Sequence, residues 1–386
     1  MGKRELLLAA AFVILGAAVY QLTAPPRDPS RPGWSFGGMV QKMRREVSGN
    51  RASAKATINT TAAAPASLRE VRLASTLRSA GITVIGEDRS DIQIALTVTS
   101  NGYDEAEATR LANSAKLRLD EAGALLIANV DYPREGRQSG TIEMHVPKRL
   151  GIRIDEKFGP LTITDVASVF VGGGRGVTTI STVDGLVQVT QRGSTITISD
   201  AGTLKLTTFS GAEVKVAGIR GDAAFATQGG ELRAEGIHGA IDAEARNTEI
   251  RLEKLEKTGK PIRISATSGE VVLAGLQDDA RIDGRGTDIR VDQSAASTLS
   301  VYNDGNESIE LTVPQNGFTL DAVTVDGRLK ADTTLEKAGV RITGSQGTGG
   351  ESGSAREEFR ANGTIRGGGP LITLRAVRGD IILRSR

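Results

Sequence analysis

The chain has 386 residues and a formal net charge of +2; apolar residues make up 39% of it and aromatic residues only 3%. Because cysteine is absent, disulfides, thiolate metal sites, a cysteine nucleophile and a lipidated cysteine are all excluded. Basic and acidic residues are interleaved, so the stripe of positive charge that a nucleic-acid partner needs is missing. The 47 glycines favour β structure with frequent tight turns and a core of Val, Ile, Leu and Ala.

Residues 1–24 have the pattern of a membrane anchor or a signal peptide. Lys3 and Arg4 precede an apolar run over residues 6–24, and Pro25 and Pro26 end that run. A small-residue cleavage site could end at Ala18, whereas one at Ala24 would be followed by proline, and the run is near the short limit for a spanning helix. We favour the anchor. The expectation is a single-pass membrane protein whose C-terminal domain is periplasmic or extracellular, although basic residues downstream argue weakly against that orientation.

Residues 25–66 are predicted to be a Pro-rich and polar linker. Within it, residues 36–47 place apolar side chains at helical spacing with Lys42, Arg44 and Arg45 on other faces. Such a helix would lie on a membrane surface. A short helix docked on the domain, or no helix at all, is an equally good interpretation of these residues.

Residues 67–147 are predicted to form a β-rich opening module. "GITVIGEDRSDIQIALTVTS" alternates like paired strands, and "KLRLDEAGALLIANVDY" has the pattern of a hairpin around Gly123. Between them "YDEAEATRLANSA" has the spacing of a short helix with Asp104 near its start.

A repeat of about 18 residues dominates residues 148–343. Eight segments align on an apolar anchor residue: Ile196, Val214, Leu232, Ile250, Val271, Ile289, Ile309 and Leu329. A second strand begins about nine residues before each anchor, at Val187, Leu204, Ala223, Ile241, Ile262, Ala280, Leu299 and Phe318. Turn formers stand three residues before the anchors, at Gly193, Gly211, Gly229, Asn247, Ser268, Gly286, Asn306 and Asp326.

This period predicts an all-β fold, a β-solenoid in which each strand-turn-strand coil buries its apolar face by stacking on the next. Right-handed winding is expected because parallel crossovers nearly always have that hand. Residues 344–369 have the composition of a mobile Gly/Ser-rich loop, and residues 370–386 are predicted to be the final coil.

Charged residues form two candidate columns on the outer face of the coils. Acidic residues precede the anchors at Glu213, Glu231, Glu249, Glu270 and Asp288, and basic residues follow at Lys215, Arg233, Arg251 and Arg290. These columns are a candidate ligand strip for a cation or a glycan, but a solvated charge ladder is the favoured interpretation.

The tripeptide Arg-Gly-Asp occurs twice, at Arg220, Gly221 and Asp222 and again at Arg378, Gly379 and Asp380. Both copies are candidate adhesive turns. The alignment places the first copy at the bend between coils and the second in the turn within a coil. Two different kinds of turn favour a structural role for both copies over a shared adhesive one.

No catalytic, cofactor or metal site is predicted. His145 and His238 are far apart in the sequence, and the "GGGRG" segment at 172–176 lacks the lysine and helix of a phosphate loop. The acids Asp184, Asp200, Asp242 and Asp278 fall on different columns of the alignment, so no carboxylate pair for glycoside chemistry can be named.

"EMHVPKRLGIRIDEKFGPLTITDV", the strand-glycine coils and "GGGPLITLRAVRGDIILR" together resemble the bacterial putative adhesin family, whose shared domain is named DUF4097. The resemblance covers residues 67–386 and implies surface attachment or a link to envelope stress, with no catalytic residues. We therefore expect a non-enzymatic adhesin or structural module whose partner is cell-wall glycan or a surface protein. The alternatives are a carbohydrate-active β-helix enzyme and a component of an envelope-stress sensor.

Overall fold

The computed structural model describes Gly16 and residues 52–74, 79–135, 137–346 and 357–386. In this part of the chain the fold is all-β, with 27 strands and two short helices, which confirms the predicted class. The predicted anchor, apart from Gly16, and the predicted helix at 36–47 lie outside the described residues. None of the helices in the described ranges has the length and apolar character needed to cross a membrane.

The described residues form two units. The smaller unit contains Gly16 and residues 52–56, 99–114 and 133–138, except for residue 136, which is not described. Its helix α1 spans Glu105–Asn113, where Asp104 caps the first turn by accepting a hydrogen bond from the Glu107 N–H at 2.8 Å. Leu111 is buried together with two alanines of the same helix. The helix predicted here, with Asp104 near its start, is confirmed.

The larger unit contains the remaining described residues. Eight strands precede residue 155, of which β1, β4 and β7 extend into the smaller unit: β1 Ala52–Ala63, β2 Glu70–Leu73, β3 Ser79–Glu87, β4 Asp91–Gly102, β5 Lys116–Ala122, β6 Leu125–Asp131, β7 Arg137–Pro147 and β8 Gly151–Ile154. Strands β5 and β6 are antiparallel around Gly123, whose φ is 66°. The predicted hairpin is therefore confirmed.

Two expectations for this part of the chain were wrong. Residues 52–63, assigned to the linker, form a 12-residue strand that pairs with β4. Its Ala, Thr and Ser side chains alternate between half-buried and exposed positions, so the apolar signal that marks a strand was missing. Strands β3 and β4 do not form the expected pair, because β3 is flanked by β7 and β10 and β4 is flanked by β1 and β7.

The 147/148 boundary also differs from the division found in the structure. Strand β3 pairs in parallel with β10, Leu161–Val166, and β2 pairs in parallel with β8. Strands of the predicted opening module thus stack directly on strands of the repeat region and belong to the same unit.

In the centre of the larger unit each strand pairs in parallel with the equivalent strand of the next repeat. They are β9 Lys157–Phe158, β10 Leu161–Val166, β11 Ser168–Val171, β12 Gly174–Arg175, β13 Thr178–Arg192, β14 Thr195–Phe209, β15 Ala212–Ile219, β16 Ala223–Ile237, β17 Ile241–Glu253, β18 Ile262–Leu276 and β19 Ala280–Gln293. Most of the longer strands bend in the middle and contribute to two ladders of parallel pairing.

We call the first of these the anchor ladder. It runs through six of the predicted anchors in register, each paired with the next: Ile196, Val214, Leu232, Ile250, Val271 and Ile289. All six are at most 1% exposed, and the apolar residues two positions later are buried as well. Alternate side chains of these strands therefore face one apolar interior, as the period of two predicts.

We call the second the partner ladder. It runs in register through Val187, Leu204, Ala223, Ile241, Ile262 and Ala280, all of them buried. Between the two ladders the chain bends at the predicted turn formers, and seven of the eight have positive φ, with Asn306 the exception. Glycine, asparagine and serine at these corners adopt the left-handed conformation that few other residues tolerate.

The C-terminal repeats do not stack in the order in which they occur in the sequence. Their elements are β20 Leu299–Asp304, β21 Ile309–Val313, β22 Phe318–Val325, β23 Leu329–Ala331, α2 Thr333–Lys337, β24 Arg341–Gln346, β25 Glu357–Ile365, β26 Leu371–Val377 and β27 Ile381–Ser385. Strands β26 and β27 lie between the two preceding repeats: Ile381 pairs with both Ile309 and Leu329. The predicted direct stacking of Leu329 on Ile309 was wrong.

Two further details of this region correct the sequence-based boundaries. The residue of β22 that joins the partner ladder opposite Ile372 is Leu320, and Phe318 instead lies opposite Ile365 of β25. The predicted loop at 344–369 contains the end of β24 and all of β25, which pair as an antiparallel hairpin. The high glycine and serine content of this segment led to the loop prediction and hid the two strands. Residues 347–356 lie outside the described part of the chain.

Candidate binding surfaces

The acidic residues of the candidate strip line up on the outer face of the anchor ladder. Each pairs in register with its counterpart in the next repeat: Glu213, Glu231, Glu249, Glu270 and Asp288. Neighbouring parallel strands lie about 4.8 Å apart, so five carboxylates of like charge form one column. Without compensation this column would be destabilising.

The basic residues of the strip compensate this charge. Lys215, Arg233 and Arg251 are also in register with one another, and Val272 separates them from Arg290. The Lys215 Nζ is 2.7 Å from a Glu213 oxygen, Arg233 is paired with Glu231, and an Arg290 nitrogen is 2.8 Å from a Glu270 oxygen in the repeat before it. The pairs thus run both within a repeat and between repeats.

Ion pairs engage all four basic residues of the strip, although the Arg251 Nε has no hydrogen-bond partner. The hydrogen bond from Lys215 lowers the pKa of Glu213, and the hydrogen bond to Glu231 raises the pKa of Arg233. Arg251 lies 3.5 Å from Glu253 and 3.8 Å from Glu249. A shallow groove of about 250 Å³ follows the basic column, but a charged ligand there would have to displace existing ion pairs.

The first Arg-Gly-Asp tripeptide lies at the bend between β15 and β16. One guanidinium nitrogen of Arg220 donates to the Val183 and Asp184 carbonyls at 2.9 and 3.1 Å, two repeats back. Asp222 accepts from the Ala240 N–H at 2.8 Å in the following repeat. Arg220 therefore connects this bend to the bend two repeats back and Asp222 connects it to the next bend, so the segment is a turn held on two sides.

The second tripeptide lies in the turn between β26 and β27. Asp380 accepts from the Arg328 N–H at 2.8 Å through its carboxylate and from the Ile309 N–H at 2.8 Å through its carbonyl. Gly379 is buried, and a Cβ there would come within 2.1 Å of the Glu307 carbonyl oxygen. The two copies occupy different kinds of turn, as the alignment places them.

The two histidines are not brought together. The His145 Nδ1 is 2.8 Å from Glu87 and its Nε2 is 3.2 Å from Glu143, and the hydrogen bond with Glu87 raises the pKa of the imidazole. His238 is exposed and 4.0 Å from Glu256. Within the described ranges no three metal-ligating side chains form a group that could hold an ion.

The carboxylates considered for glycoside chemistry have separate environments. Asp278 is buried and accepts hydrogen bonds from the Thr258 and Gly259 N–H groups at 2.6 and 2.9 Å, so it fastens a loop. Asp242 is exposed on the partner ladder, opposite Arg263 of the next repeat. Neither arrangement provides the paired acid and base that glycoside hydrolysis needs.

Lys157 is a buried charged residue that the sequence did not single out. Its side chain is fully buried, and its Nζ lies 2.8 to 3.5 Å from four carbonyl oxygens, those of Gly159, Arg175, Gly176 and Val177. The burial lowers the pKa of this ammonium to about 8. The "GGGRG" segment thus wraps a lysine of this chain, and Gly174 has a φ of 111° where a Cβ would be 1.9 Å from the Lys157 carbonyl oxygen.

Comparison with known proteins gives little further guidance. No protein-family model matches the chain, and no curated protein matches it. Among solved structures, a putative adhesin from Parabacteroides distasonis is similar at 10% identity and a TM-score of 0.39, with 67% of this chain and 96% of that chain covered. A putative cell adhesion protein from Clostridium sporogenes is similar at 7% identity and a TM-score of 0.19, over 87% of this chain and 100% of that one.

Proposed function

We propose that this chain is a right-handed β-solenoid that serves as a non-enzymatic binding or structural module of the bacterial cell envelope, in the manner of an adhesin. Residues 6–24 would tether it to the membrane, with the C-terminal domain on the periplasmic or extracellular side. The DUF4097 resemblance is part of the same proposal.

One observation carries the proposal: the outward side chains of consecutive repeats stand in register over the whole central region. The acidic column runs without a break from Glu213 to Asp288, and the basic column from Lys215 to Arg290 is interrupted at Val272. A surface of this kind offers the same contact several times over and suits a repetitive or extended partner. Catalysis instead needs a few groups converging on one reacting atom.

The parallel register of the two ladders supports a solenoid. The chain passes from the partner ladder to the anchor ladder and then back to the partner ladder in the next repeat. This alternation is the path of a chain that winds as a solenoid. The right hand follows from the general preference of parallel crossovers. The tether and its orientation rest on the sequence of residues 1–24 alone.

Binding is tested with the full chain in detergent micelles, offered to isolated cell-wall, glycan and host-matrix fractions at low and high salt. We expect saturable binding to one of these fractions. The matched control is Ile250→Asp, whose core is disrupted and which should not bind. Equal retention of both proteins, or no binding of the wild type to any fraction, would overturn the proposed role.

Orientation is tested by using the absence of cysteine from the natural sequence. Thr203→Cys places a single thiol on an exposed position of β14. A maleimide that does not cross membranes should label this thiol in intact cells with permeable outer layers. Labelling that appears only after the inner membrane is lysed would contradict the proposed side of the membrane.

A further inference from the structure

A second groove lies on the outer face of the partner ladder, away from the charge strip. Its volume is about 260 Å³, and it crosses four consecutive repeats, from residues 207–209 to 265–267. With strands about 4.8 Å apart, the groove is roughly 14 Å long. Two outward columns form its floor and walls, one through Ala226 and Glu244 and the other through Gln228 and Arg246.

The groove has an aromatic wall and a small-residue floor. Phe209 lines it with 39% of its surface exposed, in a chain whose aromatic residues are only 3% of the total. On the next repeat Ala226 leaves space where its column neighbours, Thr207 and Glu244, carry larger side chains. An exposed phenyl ring beside such a gap provides a flat apolar surface that a ring-shaped ligand can cover.

The polar groups of the groove differ from those of the charge strip in being unengaged. Glu244 and Arg246 are exposed, and within the described ranges neither makes an ion pair. Gln228, Ser265 and Thr267 add an amide and two hydroxyl groups along the same walls. The groove therefore offers carboxylate, guanidinium, amide and hydroxyl groups to a ligand without breaking an existing pair.

We propose that this groove binds a neutral oligosaccharide. A sugar ring presents an apolar face to the Phe209 ring and hydroxyl groups at its edge to Glu244 and Arg246. Glu244 and Arg246 are the two charged residues that line the groove, and their charges cancel, which favours a neutral ligand over a polyanion. Arg192 and Arg285 continue the Phe209 column beyond the two ends of the groove, so the hyaluronan probe tests this preference directly. A groove that crosses four repeats is long enough for more than one sugar ring in a row. The inference deepens the proposed binding role and depends on it.

The test measures binding of defined tetrasaccharides to the full chain by isothermal titration calorimetry, in a detergent that has no sugar headgroup. The probes are cellotetraose and chitotetraose as neutral chains and a hyaluronan tetrasaccharide as a polyanion. The matched control is Tyr302→Ala, because Tyr302 is an exposed aromatic residue, 44% accessible, on the same ladder but outside the groove.

We expect a neutral tetrasaccharide to bind saturably and the hyaluronan fragment to bind at least tenfold more weakly. Phe209→Ala should weaken neutral binding about tenfold because the stacking surface is lost. Glu244→Gln, which keeps the shape of the side chain, should weaken it severalfold, and Tyr302→Ala should change it less than twofold. Unchanged thermal unfolding of the three variants shows that they fold.

Three results would overturn the inference. No saturable binding of either neutral probe is the first, and equal losses in Phe209→Ala and Tyr302→Ala are the second. The third is binding of an unstructured peptide mixture that Phe209→Ala abolishes while the sugars fail to bind. If the wild type binds envelope fractions but no tetrasaccharide, the groove assignment fails and the proposed function stands. If it binds no fraction and no sugar, both fail.

Discussion

The central repeats and the segments on either side of them are held together by different means. Between residues 195 and 293 apolar residues recur at the same positions of every repeat, and the charged side chains of the outer face form ion-paired columns. On the N-terminal side a single buried lysine gathers four carbonyl groups, and on the C-terminal side Asp380 joins the strands on both sides of it. The central contacts recur at equivalent positions of successive repeats, whereas each flanking contact occurs once.

The largest expected effect is in the central core. Ile250→Asp should destabilise the protein by at least about 4 kcal/mol, because it removes a buried side chain and buries an unpaired charge. The matched control is Val272→Asp, which places the same charge on the same ladder one repeat later but on the half-exposed outer face. Urea unfolding measures both; an Ile250→Asp midpoint equal to that of the wild type would contradict the inward assignment.

The strand order at the C-terminal end is tested by Ile381→Ala. Loss of this buried side chain should cost about 2 to 5 kcal/mol. Because Ile381 pairs with Ile309 on one side and Leu329 on the other, amide hydrogen exchange should accelerate in β21 and β23 together. Acceleration in only one of these strands would mean that β27 lies at the edge of the ladder and not between them.

The buried Lys157 ammonium predicts a pH dependence of stability in the alkaline range. The pKa of Lys157 is lowered to about 8 from its usual 10.5, so between these values the unfolded chain holds more protons than the folded chain. Stability should therefore rise with pH across this window, by on the order of 3 kcal/mol from this group.

Lys157→Met should remove that contribution. Urea unfolding at pH 7 and pH 10.5 should give a difference in stability that is smaller in the variant than in the wild type. Lys205→Met, on an exposed position of β14, is the matched control and should retain the wild-type dependence. A Lys157→Met protein whose dependence equals that of the wild type would show that the buried ammonium does not titrate in this window.

The smallest effect is expected from the charge columns. Glu231→Gln and Arg233→Gln each break one exposed ion pair of the central repeats, so each should change stability by less than about 1 kcal/mol. The double variant should cost less than the sum of the two single variants, because the pair is lost only once. A loss of several kcal/mol in either single variant would mean that the columns carry the stability assigned here to the apolar core.

The sequence predicted the central repeats well because one physical rule operates there at every turn. An apolar residue at Ile250 faces the interior for the same reason as one at Leu232, and the left-handed corner at Asn247 corresponds to the one at Gly229. Each repeat therefore confirmed the alignment of the next. The charge columns followed from the same alignment, although their pairing partners required side-chain positions.

The flanking regions could not be predicted in this way. Leu329 follows Ile309 by 20 residues, a spacing that fits adjacency, yet the order of strands was decided by the β24–β25 hairpin and the return of β26. The groove at Phe209 depends on which neighbours are small, and a single strand does not reveal this. A lone lysine gives no sign that its ammonium is buried, although the "GGGRG" segment 15 residues later was a clue.

The insertion of β26 and β27 between two earlier repeats has a consequence for biosynthesis. Residues 299–331 leave the ribosome before residues 371–385 exist, so the strands on the two sides of the gap wait without the partner that joins them. Until then they expose unpaired edges, which are the surfaces that aggregate or recruit chaperones. The central repeats can close one after another during synthesis, but this end of the chain can be completed only after its later strands arrive.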